Sequence, residues 1–154
     1  MMHTRFPLAA VIAVSALTAI GCRKADVPPA DSVAAAPAPP PAAMVTTIET
    51  GKHIDANKRI VDTASTFAPR DTLYVSVVTT NATANTMLKT VVTFQTGQVV
   101  DSSSQAVAAP MTTGGSSVTE FHLMKAGGWP TGDYTVEVWL DGQSAGTRTL
   151  TVKR

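Results

Sequence analysis

The stretch WPTGDYTVEVWLDG, residues 129–142, decides the fold class of this chain. A proline and a glycine precede a tyrosine, and the side chains then alternate between apolar and polar types. On a pleated strand this alternation gives one apolar and one polar face. The apolar face holds Tyr134, Val136, Val138 and Leu140, and the polar face holds Thr135, Glu137 and Trp139. Asp141 and Gly142 then form a tight turn, so the stretch predicts one strand of an antiparallel hairpin.

The same alternation recurs on both sides of this stretch. It places inward-facing apolar side chains in segments 71–80, 87–97, 117–125 and 146–154, at Leu73, Val75, Val77, Leu88, Val92, Phe94, Phe121, Leu123, Leu150 and Val152. The QTGQ sequence, residues 95–98, predicts a hairpin into the segment QVVDSSSQ. One or two edge strands are expected around residues 45–48 and 59–61. Seven or eight short strands predict an antiparallel β-sandwich, with a small barrel as the alternative.

The residues around Tyr134 carry a family resemblance. WPTGDYTVEV resembles the tyrosine corner of immunoglobulin-like (Ig-like) and fibronectin type III-like domains, in which a phenol hydrogen-bonds to nearby backbone. The resemblance implies this structural role for Tyr134. No cysteine follows Cys22, so the disulfide of antibody domains is excluded. The run from residue 66 to residue 142 looks like small Ig-like lipoprotein domains of uncharacterised bacterial proteins, which implies an all-β Ig-like sandwich over residues 44–154 and no known activity.

The N-terminal residues predict export. Arg5 precedes an apolar run, Leu8 to Ile20, that is too short for a membrane-spanning helix. The run ends in LTAIGC, which resembles the lipobox of bacterial lipoproteins. The resemblance implies that residues 1–21 are a signal peptide and that Cys22 carries diacylglycerol and acyl chains such as palmitate, anchoring the protein in a membrane. Arg23 favours the outer membrane, facing the periplasm or the surface. The alternative is an incidental thiol after an ordinary signal.

Residues 22–43 form a segment of proline and alanine with few large apolar side chains. Because proline lacks a backbone donor and fixes φ, we expect a disordered, semi-extended linker between the lipid and the domain. A ligand for an aromatic groove is the alternative interpretation of PAPPPA, residues 37–42.

Charge and motif content argue against several function classes. The formal net charge of the chain is +1, which does not indicate nucleic-acid binding. His53 and Asp55 would share a face on a strand, which we interpret as a solvated polar edge, and His122 is expected on an outward face, but neither histidine has metal-ligand spacing. The chain contains no nucleophile elbow and no phosphate-binding glycine loop. We therefore expect no catalytic activity, no metal and no cofactor.

These patterns favour a lipid-anchored binding or adhesion module with an unidentified protein or polysaccharide partner. We expect its binding face on the outward side of three adjacent strands, with Lys89, Thr93, Glu137 and Trp139. Alternatively, Trp139 is covered by the N-terminal segment or a loop. Two other functions remain open. One is a structural subunit of an envelope complex that pairs through an edge near residues 45–50. The other is an inhibitor of an exported proteinase that acts through the loop AVAAPMTTGGSS, residues 106–117.

Overall fold

Eight β-strands form the regular structure of the domain. The computed structural model describes residues 38–110, 112 and 114–154. The strands are β1 (Met44–Gly51), β2 (Thr66–Phe67), β3 (Leu73–Thr80), β4 (Met87–Phe94), β5 (Val99–Ala106), β6 (Ser116–Leu123), β7 (Gly132–Leu140) and β8 (Gln143–Val152). The predicted signal peptide, Cys22 and linker residues 22–37 lie outside the described residues.

The strands form two sheets, one with the order β1-β3-β6 and the other with the order β2-β8-β7-β4-β5. Neighbouring strands are antiparallel, except that β2 runs parallel to β8. The two sheets are separate and do not close into a barrel. The predicted all-β sandwich of seven or eight strands is therefore confirmed.

The core lies between the inner faces of the two sheets. Val136 of β7 pairs with Val92 of β4, and both are fully buried, as are Val75 and Val77 of β3. Burial of a valine side chain stabilises a fold by about 1.5 kcal/mol or more. The inward positions predicted from alternation are buried, apart from Phe94 and Leu140, which are half-buried against the core.

The outer face of β3 differs from a solvent-exposed sheet face, because Ser76 and Val78 are also buried. Residues 52–65 fold back over this side of the sheet, and the Ser76 hydroxyl donates to the carbonyl of Lys58 at 2.8 Å. Within the excursion, Ile54 and Ile60 form an isolated bridge. Of the one or two edge strands predicted around residues 45–48 and 59–61, β1 forms at the first position, and the second contributes one bridge instead.

Gly51 allows this excursion to pass close to β1. A Cβ atom on Gly51 would lie 2.5 Å from the carbonyl oxygen of Asp62 and would also collide with Ile60. Just beyond, the amide of Ala64 donates to the carbonyl of Thr50 at 2.8 Å. The absence of a side chain at Gly51 thus lets residues 60–64 lie against the edge of β1.

Connections gather at the two ends of the sandwich. Residues 40–43, which lead into β1, lie beside the β3–β4 and β5–β6 connections and Asp141 of the β7–β8 turn. We call this the entry end. In the β7–β8 turn both Asp141 (φ 49°) and Gly142 (φ 82°) have positive φ, as a tight two-residue hairpin turn requires. The opposite end carries the β4–β5 hairpin, the β6–β7 connection and residues 68–72.

Candidate binding face

Tyr134 fixes the end of the core opposite the entry end. Its side chain is 1% exposed, and its hydroxyl donates to the carbonyl of Pro130 at 2.7 Å, the contact that defines a tyrosine corner. The ring centroid lies 5.0 Å from that of Phe94 and 5.7 Å from that of Trp129, in an edge-on arrangement. Burial raises the pKa of the Tyr134 phenol. Trp129 is itself buried, so this aromatic cluster is part of the core rather than a binding surface.

The candidate site is the outward face of β5, β4, β7 and β8, which we call the outward face. Strand pairing sets its rows: Lys89 lies opposite Trp139, Val91 opposite Glu137, and Thr93 opposite Thr135. Hydroxyl side chains on β5 and β8 continue these rows, at Ser102, Ser104, Ser144, Thr147 and Thr149. The face therefore consists mainly of short hydroxyl side chains around one tryptophan.

Trp139 lies half-buried in this face. A bulge between Val138 and Trp139 shifts the pairing with β8, so that Trp139 pairs with Ser144. Its indole Nε1 is buried and has no hydrogen-bond partner among the described residues. The ring lines a shallow depression of about 440 Å³ together with Met87, Lys89, Val91, Ser104, Glu137 and Gly142. We call it the tryptophan depression.

The other predicted site residues fall into two groups. Lys89 is exposed and Glu137 half-buried, and both border the tryptophan depression. Glu137 accepts a hydrogen bond from the Ser144 hydroxyl at 2.7 Å, which holds the carboxylate toward β8. Thr93 lies beyond Val91 along β4, outside the depression. The structure thus brings Lys89, Glu137 and Trp139 together and leaves Thr93 apart from them.

A second depression, of about 420 Å³, lies where β2, β7 and β8 meet. The sequence did not predict a site at this position. It is lined mainly by polar side chains: Ser65, Thr66, Gln95, Asp133, Thr135, Thr149 and Thr151. The Thr151 hydroxyl donates to Asp133 Oδ1 at 2.6 Å. We call this the hydroxyl depression. The alternating threonines of TRTLTV, residues 147–152, are the signal that could have located it.

The edge of β1 is partly occupied. Arg148 Nε donates to the carbonyl of Ile48 at 2.8 Å, and the Ala64 amide occupies the carbonyl of Thr50. Two carbonyl groups that a partner strand would need at residues 45–50 are therefore already bonded.

The loop proposed for proteinase inhibition, residues 106–117, is fixed to the domain at its start. Val107 is buried, and its amide donates to the carbonyl of Thr86 at 2.9 Å.

His53 and His122 form no reactive cluster with the other residues that the structure describes. His53 Nδ1 lies 3.4 Å from Asp62 Oδ1, and His53 and Asp55 lie outside the eight strands. His122 Nδ1 lies 3.1 Å from Glu120 Oε1. Asp55 instead accepts backbone hydrogen bonds in its own turn, and the bond from the Arg59 amide is the main reason that its pKa is lowered. Among the residues described, no three His, Cys, Asp or Glu side chains are placed to share a metal ion.

Comparison with known proteins supports a fold but gives no family. No protein-family model matches the chain, and no curated protein matches it. Among solved structures, an immunoglobulin-like protein from Pseudomonas aeruginosa is similar, with 10% identity, 73% of this chain and 98% of that chain covered, and a TM-score of 0.51. This likeness shows the fold alone. The chain has an Ig-like β-sandwich.

Two enzymes contain a similar region. One is an alkylpurine DNA glycosylase from Pseudomonas fluorescens, bound to DNA containing an abasic site analog, with 12% identity, 73% of this chain covered and a TM-score of 0.47. The other is a β-glucosidase from Listeria innocua in complex with gluconolactone, with 11% identity, 70% of this chain covered and a TM-score of 0.44. The chain spans 30% of the first enzyme and 16% of the second.

Within the described part of the chain, no helix has the length and apolar character to cross a bilayer.

Proposed function

We propose that this protein is a lipid-anchored component of the bacterial cell envelope whose Ig-like domain binds another macromolecule and catalyses no reaction. The observation that carries the proposal is the tryptophan depression. Trp139 lies on the side of β7 that faces away from the core, so packing between the sheets does not require an aromatic side chain there. Large aromatic side chains on a protein surface commonly supply most of the binding energy of an interface.

The surroundings of Trp139 fit a binding role better than a catalytic one. Glu137 is held by a hydrogen bond to Ser144, and Lys89 makes no salt bridge within the described residues. A general acid–base pair needs both groups within hydrogen-bond reach of one reacting atom, whereas the Glu137 carboxylate is held toward β8 by its bond to Ser144. The tryptophan depression therefore offers a partner an aromatic ring with one cation and one carboxylate at its border.

The partner class is a protein or a polysaccharide, and the two are separated by experiment. The full chain in a non-ionic detergent would be immobilised and exposed in parallel to an envelope protein extract and to purified neutral polysaccharides. Binding should depend on the tryptophan depression, so Trp139→Ala should abolish the capture seen with wild type. Tyr74→Ala is the matched control, because Tyr74 is a half-buried aromatic residue on the outer side of the other sheet. Equal capture by wild type and Trp139→Ala would refute the proposal.

The lipid anchor rests on LTAIGC, residues 17–22, and is tested separately. Mass spectrometry of the native protein should show an N-terminal peptide that begins at Cys22 and carries acyl chains. An uncut leader, or an unmodified thiol at a mature N-terminus, would contradict the anchor and leave the binding proposal standing. The bonded carbonyl groups on the edge of β1 and the backbone bond at the start of the loop at residues 106–117 favour a binding module over the assembly and inhibitor functions.

A further inference from the structure

Basic side chains are distributed unevenly over the domain. Although residues 38–154 contain equal numbers of basic and acidic side chains, five basic ones lie just beyond strand ends at the end opposite the entry end: Lys52, Arg70, Lys125, Lys153 and Arg154. The entry end carries one charged side chain among its lining residues, Asp141. The balanced numbers of acidic and basic side chains in residues 38–154 are therefore compatible with an excess of basic side chains at one end of the domain.

Backbone contacts bring three of the segments that carry these side chains together. The Trp129 amide donates to the carbonyl of Pro69 at 2.7 Å, which joins the β6–β7 connection to the segment before β3. The Lys153 amide donates to the carbonyl of Phe67 at 2.9 Å, which joins the residues after β8 to the same segment. Arg70 and Lys125, which belong to the joined segments, are both exposed.

Lys52 is neutralised by Asp71, since its Nζ lies 2.7 Å from Asp71 Oδ2. The remaining four side chains make no salt bridge within the described part of the chain. We call these four, Arg70, Lys125, Lys153 and Arg154, the basic cluster. Uncompensated cations concentrated at one end produce a local positive potential even where the net charge is close to zero.

The basic cluster adjoins the hydroxyl depression. Thr66 and Thr151 line the depression and pair with each other across β2 and β8. Further along the chain, Arg70 follows the end of β2 and Lys153 follows the end of β8. Asp133 is the acidic group in the depression, and its carboxylate accepts the Thr151 hydroxyl. Negative charge on a ligand is therefore favoured at the cluster, and uncharged hydroxyl groups are favoured in the depression.

We propose that this end of the domain binds an acidic polysaccharide, with sugar carboxylates at the basic cluster and sugar hydroxyls in the hydroxyl depression. A lipid surface fits less well, because anchoring by insertion needs a broad apolar face, whereas Met124 is the large apolar side chain exposed beside Lys125. This surface is separate from the tryptophan depression, which is bordered by Met87 and Gly142 toward the entry end.

The test measures binding of the full chain in non-ionic detergent to polygalacturonate, with pullulan as the uncharged polysaccharide. Wild type should bind polygalacturonate at low ionic strength and lose it as salt is raised, because exposed charges are screened. Arg70→Gln/Lys125→Gln/Lys153→Gln should weaken binding about tenfold, the sum of three exposed charge contacts. The matched control, Lys24→Gln/Lys58→Gln/Arg59→Gln, loses the same net charge from residues outside the basic cluster and should bind as wild type does.

Three outcomes would overturn the proposal. Equal weakening in both triple variants would show attraction by net charge alone. Absence of polygalacturonate binding by wild type would remove the site. Tighter binding to vesicles of phosphatidylglycerol and phosphatidylcholine than to polygalacturonate would assign the cluster to a lipid surface. Trp139→Ala should bind polygalacturonate normally, so a failure here and a failure at the tryptophan depression are distinguishable.

Discussion

Tyr134→Phe tests the tyrosine corner with the removal of one oxygen atom. Tyr134 is the largest of the fully buried side chains, and its hydroxyl donates to the carbonyl of Pro130 at 2.7 Å. Phenylalanine keeps the ring contacts with Phe94 and Trp129. The substitution therefore isolates the hydrogen bond that ties the turn before β7 to the core.

The structure sets the size of the effect. A buried hydrogen bond contributes a net stability of about 1 kcal/mol, and leaving its partner unsatisfied inside the protein costs about 1–3 kcal/mol. Pro130 is exposed, so water is able to replace the lost donor and the smaller value applies. A loss of about 1 kcal/mol lowers the Tm of a domain of this size by about 4 °C.

Thermal and urea unfolding of the full chain measure this loss, with Tyr74→Phe as the matched control. Tyr74 is half-buried, and its ring centroid lies 6.4 Å from that of His122. Its hydroxyl makes no hydrogen bond with the described residues, so the control should unfold as wild type does. If Tyr134→Phe and Tyr74→Phe had the same Tm, the Pro130 bond would contribute nothing to stability.

A pH titration gives an independent readout of the same group. Burial raises the pKa of Tyr134 in the folded chain, whereas an unfolded tyrosine ionises near its ordinary value of about 10. Because the folded state holds this proton more tightly, the resulting stability is fully present below about pH 10 and is lost as the pH rises through the folded value. Tyr134→Phe should lack this alkaline component of destabilisation. An identical alkaline decline in both proteins would assign it to other groups.

Three further substitutions test other parts of the structure by unfolding measurements. Val136→Asp places a charge in the fully buried core and should lower the free energy of unfolding by on the order of 4 kcal/mol. Glu137→Ala should lower it little. Equal effects of the two substitutions would contradict the strand register. Gly51→Ala brings a methyl group against residues 60–62 and should lower the free energy of unfolding by about 1–3 kcal/mol. Gly127→Ala, whose methyl group meets no neighbouring atom, should leave stability unchanged. Equal stability of the two variants would contradict the packing of residues 60–64 against β1. The pKa of Asp71 is lowered, first by its contact with Lys52, so its stabilising effect is lost as the pH falls below the ordinary carboxyl range of about 4. Asp71→Asn should be less stable at neutral pH and should show a smaller acid-side decline; an unchanged decline would assign it elsewhere.

Much of the fold could be predicted from alternation because most strands bury one face. In β7 the polar and apolar positions are cleanly separated, and Val136 and Glu137 lie on the sides that this separation predicts. The β4–β5 and β7–β8 turns were also predictable, since Gly97 and Gly142 have the positive φ that such turns need. Local sequence is sufficient where the burial of a face and the geometry of a turn depend on neighbours in the same hairpin.

Prediction failed where burial depends on distant segments. Ser76 gives no local signal for burial on the outer face of β3, because its hydroxyl is bonded to Lys58 in the distant segment 52–65. The two-residue strand β2 could not be found either, since it pairs in parallel with β8 more than 80 positions along the chain. The alternating threonines of residues 147–152 mark only the β8 side of the hydroxyl depression, whose other side forms when β2 lies beside β8.

The two proposed surfaces should differ in their sensitivity to salt, and the reason lies in the orientation of Trp139. Its Nε1 is buried without a partner among the described residues, so the exposed part of the ring presents carbon atoms and π-electrons rather than a hydrogen-bond donor. A partner at the tryptophan depression is therefore held mainly by apolar and stacking contacts, which salt screens little. A ligand at the basic cluster is held by exposed charges, which salt screens strongly. Raising the ionic strength should release the second ligand before the first, and simultaneous release would show that one electrostatic surface accounts for both.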